Sequence, residues 1–202
     1  MDASPQVTEQ LEAFTRLVET SPHNLVSRRA RDELRSRHVP ECIALARMLP
    51  SGPQRVLDVG SGGGFPGIVL AVVRPELEVH LLDSTQKKTT FLEDTGRELQ
   101  IPIEVHRGRA EMLAKPPLAG SFDVVTARAV APLDRLIRWT IPFLRVGGLL
   151  YAVKGERWQD ELEEAGAQLL RSGARVVATP DDTTVNTTGE ESPRIVMIAR
   201  DR

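Results

Sequence analysis

One segment, RVLDVGSGGGFPGIVLA from Arg55 to Ala71, constrains the fold more than any other. A β-branched apolar run ends on Asp58, four glycines follow within five residues, and an apolar run of helical length comes next. That pattern is a strand, a tight turn and a helix, the turn taking backbone angles that residues bearing a Cβ avoid. The alternation continues downstream and predicts strands at Arg55 to Val59, Glu78 to Leu82, Ile103 to His106, Phe122 to Ala127 and Leu149 to Lys154. Helices are expected between them, at Pro66 to Val73, Gln86 to Leu99, Leu133 to Leu144 and Trp158 to Arg171. Repeated units of this kind build an α/β fold around a parallel sheet. Two further strands, Arg175 to Ala178 and Arg194 to Ile198, have no helix between them, so a C-terminal antiparallel hairpin should finish a mostly parallel, seven-stranded sheet. Their connection, Thr179 to Pro193, is long and polar and reads as a mobile surface loop.

Residues 1–50 follow a different pattern. Ser4 and Pro5 suit a helix start, with Val7, Leu11, Phe14 and Val18 at helical spacing. Ser21 to Asn24 breaks that helix, an arginine-rich helix is expected from Ser27 to His38, and Pro40 can open a third. The expected division is a helical extension over 1–50 and a sheet-bearing domain over 51–202. With 202 residues, 41% of them apolar and 27% charged, the chain can bury one substantial core. Its apolar stretches are too short to span a bilayer and its N-terminus lacks a basic region followed by an apolar one. The cytoplasm is therefore the expected compartment, with no membrane partner. The single cysteine, Cys42, excludes an intramolecular disulfide framework and any multi-cysteine zinc site. Net charge is −2, but Ser27 to His38 holds five arginines against two acids, a local surface able to bind anions.

In open α/β sheets ligands bind beyond the carboxyl ends of the strands, where the strand order reverses. The glycine turn belongs there. Gly60, Gly62, Gly63 and Gly64 let the backbone lie against a ligand, and Pro66 opens a helix whose free N–H groups favour an anion. Gly62, Gly64 and Gly67 spell GxGxxG, a dinucleotide pattern, yet Asp58 at the strand end repels a pyrophosphate and attracts an ammonium. S-adenosylmethionine carries an ammonium for Asp58 and a carboxylate for the glycine backbone. Asp83, ending the next strand, is placed to accept from both ribose hydroxyls, a role that fits nicotinamide dinucleotides equally well. After the third strand, Ala110 leaves room for an adenine, and Glu111 or a backbone N–H can read the base edge. Phe65 either packs beneath the turn or lines the pocket. The plainer alternative is that Asp58 and Asp83 cap the helices after them and that Glu111 is solvated.

Methyl transfer from a sulfonium is an in-line displacement for which a protein supplies alignment and proximity. Where amino-group methylation of nucleic acids uses an (Asn/Asp)-Pro-Pro-aromatic turn, this chain reads TARAVAPL, Thr126 to Leu133. Carbon-5 methylation of a pyrimidine needs a cysteine there, and Cys42 belongs to the N-terminal helices. A ring nitrogen with a free lone pair, such as guanine N7, needs neither base nor nucleophile, so no catalytic side chain is expected. Methylation of a small molecule by proximity would look similar and stays open at this point. Arg128, ending the fourth strand, either matches the O6 and N7 acceptors of guanine or pairs with Asp123 or Asp134. Lys154, ending the fifth strand, either meets a substrate phosphate or is an exposed strand end. His23, His80 and His106 show no carboxylate or cysteine at ligand spacing, so no metal site is expected. His38 follows the arginine-rich helix and reads either as part of that surface or as a solvated or capping residue. Arg28, Arg29, Arg31, Arg35 and Arg37 can neutralise several phosphates or simply be solvated.

NLVSR (Asn24 to Arg28), RH (Arg37 and His38), VLDVGSGGGFPGIVLA, RPELEVHLLDS, GRAE, FDVVTARAVAPL and AVKG occur in this order. With them the chain resembles the RsmG (GidB) family of bacterial small-subunit ribosomal RNA methyltransferases over about residues 10–200. The resemblance implies a class I, Rossmann-like S-adenosylmethionine-dependent methyltransferase fold with an N-terminal helical extension. It also implies transfer of a methyl group from S-adenosyl-L-methionine to N7 of a guanine in the decoding-region loop of 16S rRNA. The partner would be 16S rRNA within the small ribosomal subunit, and a monomer is the expected form. The family's cofactor contacts correspond to Gly60, Phe65, Ala110, Glu111 and Arg128; Asp58, Gly62 and Asp83 join them on chemical grounds. Where the family often has His-Leu-Leu-Asp-Ser, this chain reads HVPEC, His38 to Cys42, and that segment is assigned no catalytic part.

Overall fold

A computed structural model describes residues 4–183 and 193–202 of the chain. Its strands are β1 (Arg55–Val59), β2 (Glu78–Asp83), β3 (Ile103–Arg107), β4 (Phe122–Arg128), β5 (Leu144–Val153), β6 (Ala174–Ala178) and β7 (Ile195–Arg200). They form one sheet in the order β3-β2-β1-β4-β5-β7-β6, parallel except for β7, which runs antiparallel to β5 and β6. The expected parallel sheet with its closing hairpin is therefore present. Strand order reverses between β1 and β4, so a crevice opens beyond the carboxyl ends of β2, β1 and β4.

Alternation along each strand sorts side chains onto two faces. Val56, Val79, Leu81 and Val124 belong to one apolar cluster; Leu57, Val59, Leu82, Val125 and Ala127 belong to another. The helices α1 (Pro5–Thr20), α2 (Arg28–Asp32), α3 (Val39–Met48), α4 (Gly67–Val73), α5 (Gln86–Leu99), α6 (Ala110–Leu113), α7 (Leu133–Thr140), α8 (Trp158–Glu164) and α9 (Gly166–Arg171) connect and cover them. A short α10 (Pro180–Thr183) begins the connection between β6 and β7; most of the expected loop lies outside the described residues. Among the described residues no helix is long and apolar enough to cross a membrane.

Most strand ends fall within two residues of expectation, and three larger departures have a local cause. The helix opening at Leu133 stops at Thr140 because Pro142 has no N–H to extend it; Ile141–Phe143 forms a 3-10 turn and β5 starts early, pairing Leu144 with Phe122. The helix from Trp158 divides at Ala165, where Gly166, a poor helix former, opens the second piece. The arginine-rich segment runs on into α3 through a π-helical turn, Leu34–His38, marked by His38 N–H donating to the Glu33 carbonyl at 3.1 Å. Pro40, with no N–H of its own, follows that wider turn.

The extension is built into the core. Leu11, Phe14, Val18, Leu34, Cys42, Leu45 and Leu49 share the cluster that holds Val56, Ile68 and Leu81. A fully buried large apolar side chain contributes about 1.5–3 kcal/mol, so this layer fastens the helices firmly to the sheet. Polar ties add direction: Tyr151 Oη donates to the Met48 carbonyl at 3.1 Å, and Arg74 donates to the carbonyls of Ala46 (2.9 Å) and Pro50 (3.0 Å).

Candidate cofactor and substrate site

The glycine turn is stitched to the neighbouring strand. The N–H groups of Gly60 and Ser61 both donate to the Leu82 carbonyl, at 2.7 and 3.0 Å. Gly60 has φ +74°, and a Cβ on it would lie 2.6 Å from Cγ2 of Val130. Val130 follows Ala129, itself at φ +53°, so the loop after β4 folds back over the turn. Between them is a cleft of about 370 Å³ lined by Gly60, Asp83, Lys88, Ala110, Glu111 and Val130 among others. A larger groove of about 600 Å³ lies between α1 and α5 and includes no residue of the glycine turn or the strand ends.

The two strand-end acids occupy different places. Asp58 is 1% exposed and sits beneath the turn, its Oδ1 accepting from Thr126 Oγ1 at 2.9 Å and its Oδ2 from the Gly67 N–H at 3.1 Å. Burial, only partly opposed by these hydrogen bonds, pushes its carboxyl up to about 6. Where the sequence suggests an ammonium, both carboxylate oxygens have internal donors, and the helix start packs closely on them; a Cβ on Gly67 would lie 2.8 Å from Oδ2. Asp83 does line the cleft. Its Oδ1 accepts from Thr85 N–H at 2.8 Å and its Oδ2 from Gly62 N–H at 3.1 Å, with Lys88 Nζ 3.8 Å away. Gly62 therefore acts by holding Asp83, while Ala110, at the start of α6, and exposed Glu111 face the same cleft. Phe65 packs against Phe14, ring centroids 4.8 Å apart, so its ring joins the turn to α1.

Arg128 meets neither Asp123 nor Asp134. Its Nη2 pairs with Glu41 Oε2 at 2.8 Å and contacts His38 Nδ1, and its Nη1 lies 3.8 Å from Cys42 Sγ. The HVPEC segment thus meets the end of β4, which local spacing could not reveal across 86 to 90 residues. Burial raises Glu41, but His38, Arg37 and Arg128 outweigh it and hold the carboxyl at about 2. His38 Nε2 is buried without a partner among the described residues, and its ring is 6.4 Å from that of Phe65. Cys42 reaches the strand-four end after all, yet burial pushes its thiol up to about 12, leaving it protonated and a poor nucleophile.

Lys154 is not an exposed strand end. Its ammonium pairs with Glu161 and donates to the Ala131 carbonyl at 2.9 Å, while the same Glu161 oxygen accepts from the Leu133 N–H at 2.9 Å. It thereby braces the loop that covers Gly60. Four of the five arginines near the extension also have internal partners: Arg29 with Glu33, Arg35 with Glu19, Arg37 with Glu33 and Glu41, and Arg31 with the carbonyls of Glu19 and His23. His80 and His106, read from the sequence as having no carboxylate at ligand spacing, face Glu78 and Glu104.

A protein of Methanococcus maripaludis described as a putative S-adenosyl-L-methionine-dependent methyltransferase shares this fold, with a TM-score of 0.63 at 14% identity over 85% of this chain and 90% of that one. Two relatives described as ribosomal RNA small subunit methyltransferase G are closer in sequence. That of Mycolicibacterium smegmatis is 40% identical over 77% of this chain and 70% of its own length. That of Thermobifida fusca is 45% identical over 73% of this chain and 61% of its own length. The chain thus spans between three fifths and three quarters of these relatives. The family model described as GidB, rRNA small subunit methyltransferase G, matches residues 7–187, most of the helical extension and the sheet together. The chain belongs to the rRNA small subunit methyltransferase G family.

Proposed function

We propose that this chain transfers a methyl group from S-adenosyl-L-methionine to N7 of a guanine in the decoding-region loop of 16S rRNA, acting on the small ribosomal subunit. The observation that supports it most is the cleft between Gly60, Asp83, Ala110 and Glu111, in a chain whose family match runs from residue 7 to 187. When bound, the cofactor supplies an electrophilic methyl group on a sulfonium. Asp83, pinned by Gly62 and Thr85, keeps acceptor capacity for a ribose diol. Ala110 leaves space for a flat base, and the absent Cβ of Gly60 lets Val130 pack against the turn as a wall of the cleft. Asp58 serves by holding the turn from below.

Guanine N7 carries its own lone pair, so no proton leaves before attack and the chain's task is alignment and exclusion of water. The ring gains positive charge as the methyl arrives. Arg128, its charge balanced by Glu41, can offer N–H groups to the guanine O6 with little electrostatic penalty on that developing charge. The experiment is transfer of labelled methyl from S-adenosylmethionine to small ribosomal subunits from a strain lacking the enzyme, followed by mapping of N7-methylguanosine. Incorporation at one guanine is expected; no incorporation, with turnover of a small metabolite instead, overturns the reading.

A further inference from the structure

We propose that His80, His106 and Glu104 form a site for one divalent transition-metal ion of the Zn²⁺ type, at the β2–β3 edge of the sheet. Residues two apart on a strand share a face, so Glu78 and His80 of β2 and Glu104 and His106 of β3 point the same way. The parallel register sets His80 opposite Glu104 and brings His106 beside them, opposite Leu82. Three donor atoms converge as a result. His80 Nδ1 lies 2.9 Å from His106 Nε2 and 3.5 Å from Glu104 Oε2, and His106 Nε2 lies 3.5 Å from Glu104 Oε1. Bonds of about 2.0–2.2 Å in a tetrahedral zinc site put neighbouring ligand atoms about 3.3–3.5 Å apart, so small side-chain adjustments suffice.

The surroundings are those of a supported ligand set. His80 Nε2 lies 2.8 Å from Glu78 Oε1, which also accepts from Arg55 Nε at 2.9 Å. A carboxylate on the outer ring nitrogen holds the proton there and leaves Nδ1 as a bare lone pair facing the other two donors. The His80 ring is fully buried, with the Phe122 ring edge-on at 5.1 Å and the Arg55 guanidinium 4.8 Å above that ring. Without an ion, His106 Nε2–H donates to His80 Nδ1; on binding, that proton moves to the other His106 nitrogen. Glu78 and Glu104 against Arg55 leave a net charge of −1, suited to a dication. Glu104, with its side chain 63% exposed, opens the site to solvent and leaves a fourth position for water. An ion there would tie the edge strand to β2 three residues before Asp83.

The test uses the whole chain, tag removed and stripped with a chelator, titrated calorimetrically with zinc chloride at neutral pH while bound metal is counted by mass spectrometry. One Zn²⁺ per chain is expected, with a rise in melting temperature. Replacing His80 risks unfolding the chain, so the variants are His106→Ala and the exposed Glu104→Gln, each checked for native circular dichroism. At least one should weaken binding about tenfold or more. Absence of stoichiometric binding by the wild-type chain, or binding unchanged in both folded variants, overturns the site.

Discussion

Asp58, beneath the glycine turn, and Glu41, where the helical extension meets β4, are both buried carboxylates with opposite behaviour. Burial pushes both upward. Around Asp58 there are the hydroxyls of Thr126 and Ser61, an amide and the like charge of Asp83, and no cation offsets its burial, so it rises to about 6. Around Glu41 stand His38, Arg37 and Arg128, and it falls to about 2. The difference teaches that burial alone does not set a buried acid's protonation: Asp58, 1% exposed, has no cation beside it, while Glu41, 9% exposed, has Arg37 and Arg128. The two sites also differ in reach, since Asp58 combines a contact nine positions away, Gly67, with one 68 away, Thr126, while the junction joins residues 86 to 90 positions apart.

The sharpest way to break this contrast is Asp58→Ala. It leaves the Thr126 hydroxyl and the Gly67 N–H buried without an acceptor, and the urea midpoint should report a loss of about 3–5 kcal/mol. A loss within about 1 kcal/mol would mean that Asp58 does not hold the turn. Next is Glu41→Ala, which strips Arg128 of its counter-ion; these side chains keep some solvent access, so the expected cost is about 2–3 kcal/mol. Methyl transfer should fall with it, and Glu41→Gln should recover part of the stability.

The pH dependences run in opposite directions. Folded Asp58 holds its proton more tightly than an unfolded carboxyl titrating at 3.8, so its contribution is full below that pH and is lost as pH rises to about 6. Glu41 contributes fully above 4.5 and loses that contribution as pH falls to about 2. The stability gap between wild type and Asp58→Asn should therefore shift in favour of wild type on going from neutral pH to about 4.5, by on the order of 2 kcal/mol. A shift of opposite sign would contradict the raised carboxyl.

Smaller effects test the cleft itself. Gly60→Ala should weaken S-adenosylmethionine binding more than about tenfold, because φ +74° and Val130 both resist a Cβ, and a second change, Val130→Ala, should restore part of it. Asp83→Asn should cost about tenfold in cofactor affinity, about 1.4 kcal/mol, with a melting temperature close to wild type. Equal losses of stability from Asp83→Asn and Asp58→Ala would erase the distinction between rim and floor.

The strands, the closing hairpin and the glycine turn were legible in the sequence because period-two and helical patterns are local. Pro142 and Gly166 were visible signals for the two misplaced helix ends, outweighed there by longer apolar patterns. The Glu-x-His pairs on β2 and β3 were also visible, but only strand register shows that they meet.

By itself, then, the sequence determined the α/β order, the position of the glycine turn and the family, since backbone propensity and short motifs are written in neighbouring residues. Only the tertiary structure decided that Asp58 faces inward while Asp83 faces the cleft, that Arg128 takes its counter-ion from the helical extension, and that two strand histidines share a centre with Glu104. Those outcomes depend on which side chains the packed core brings within hydrogen-bond reach, and that distance is not carried by separation along the chain.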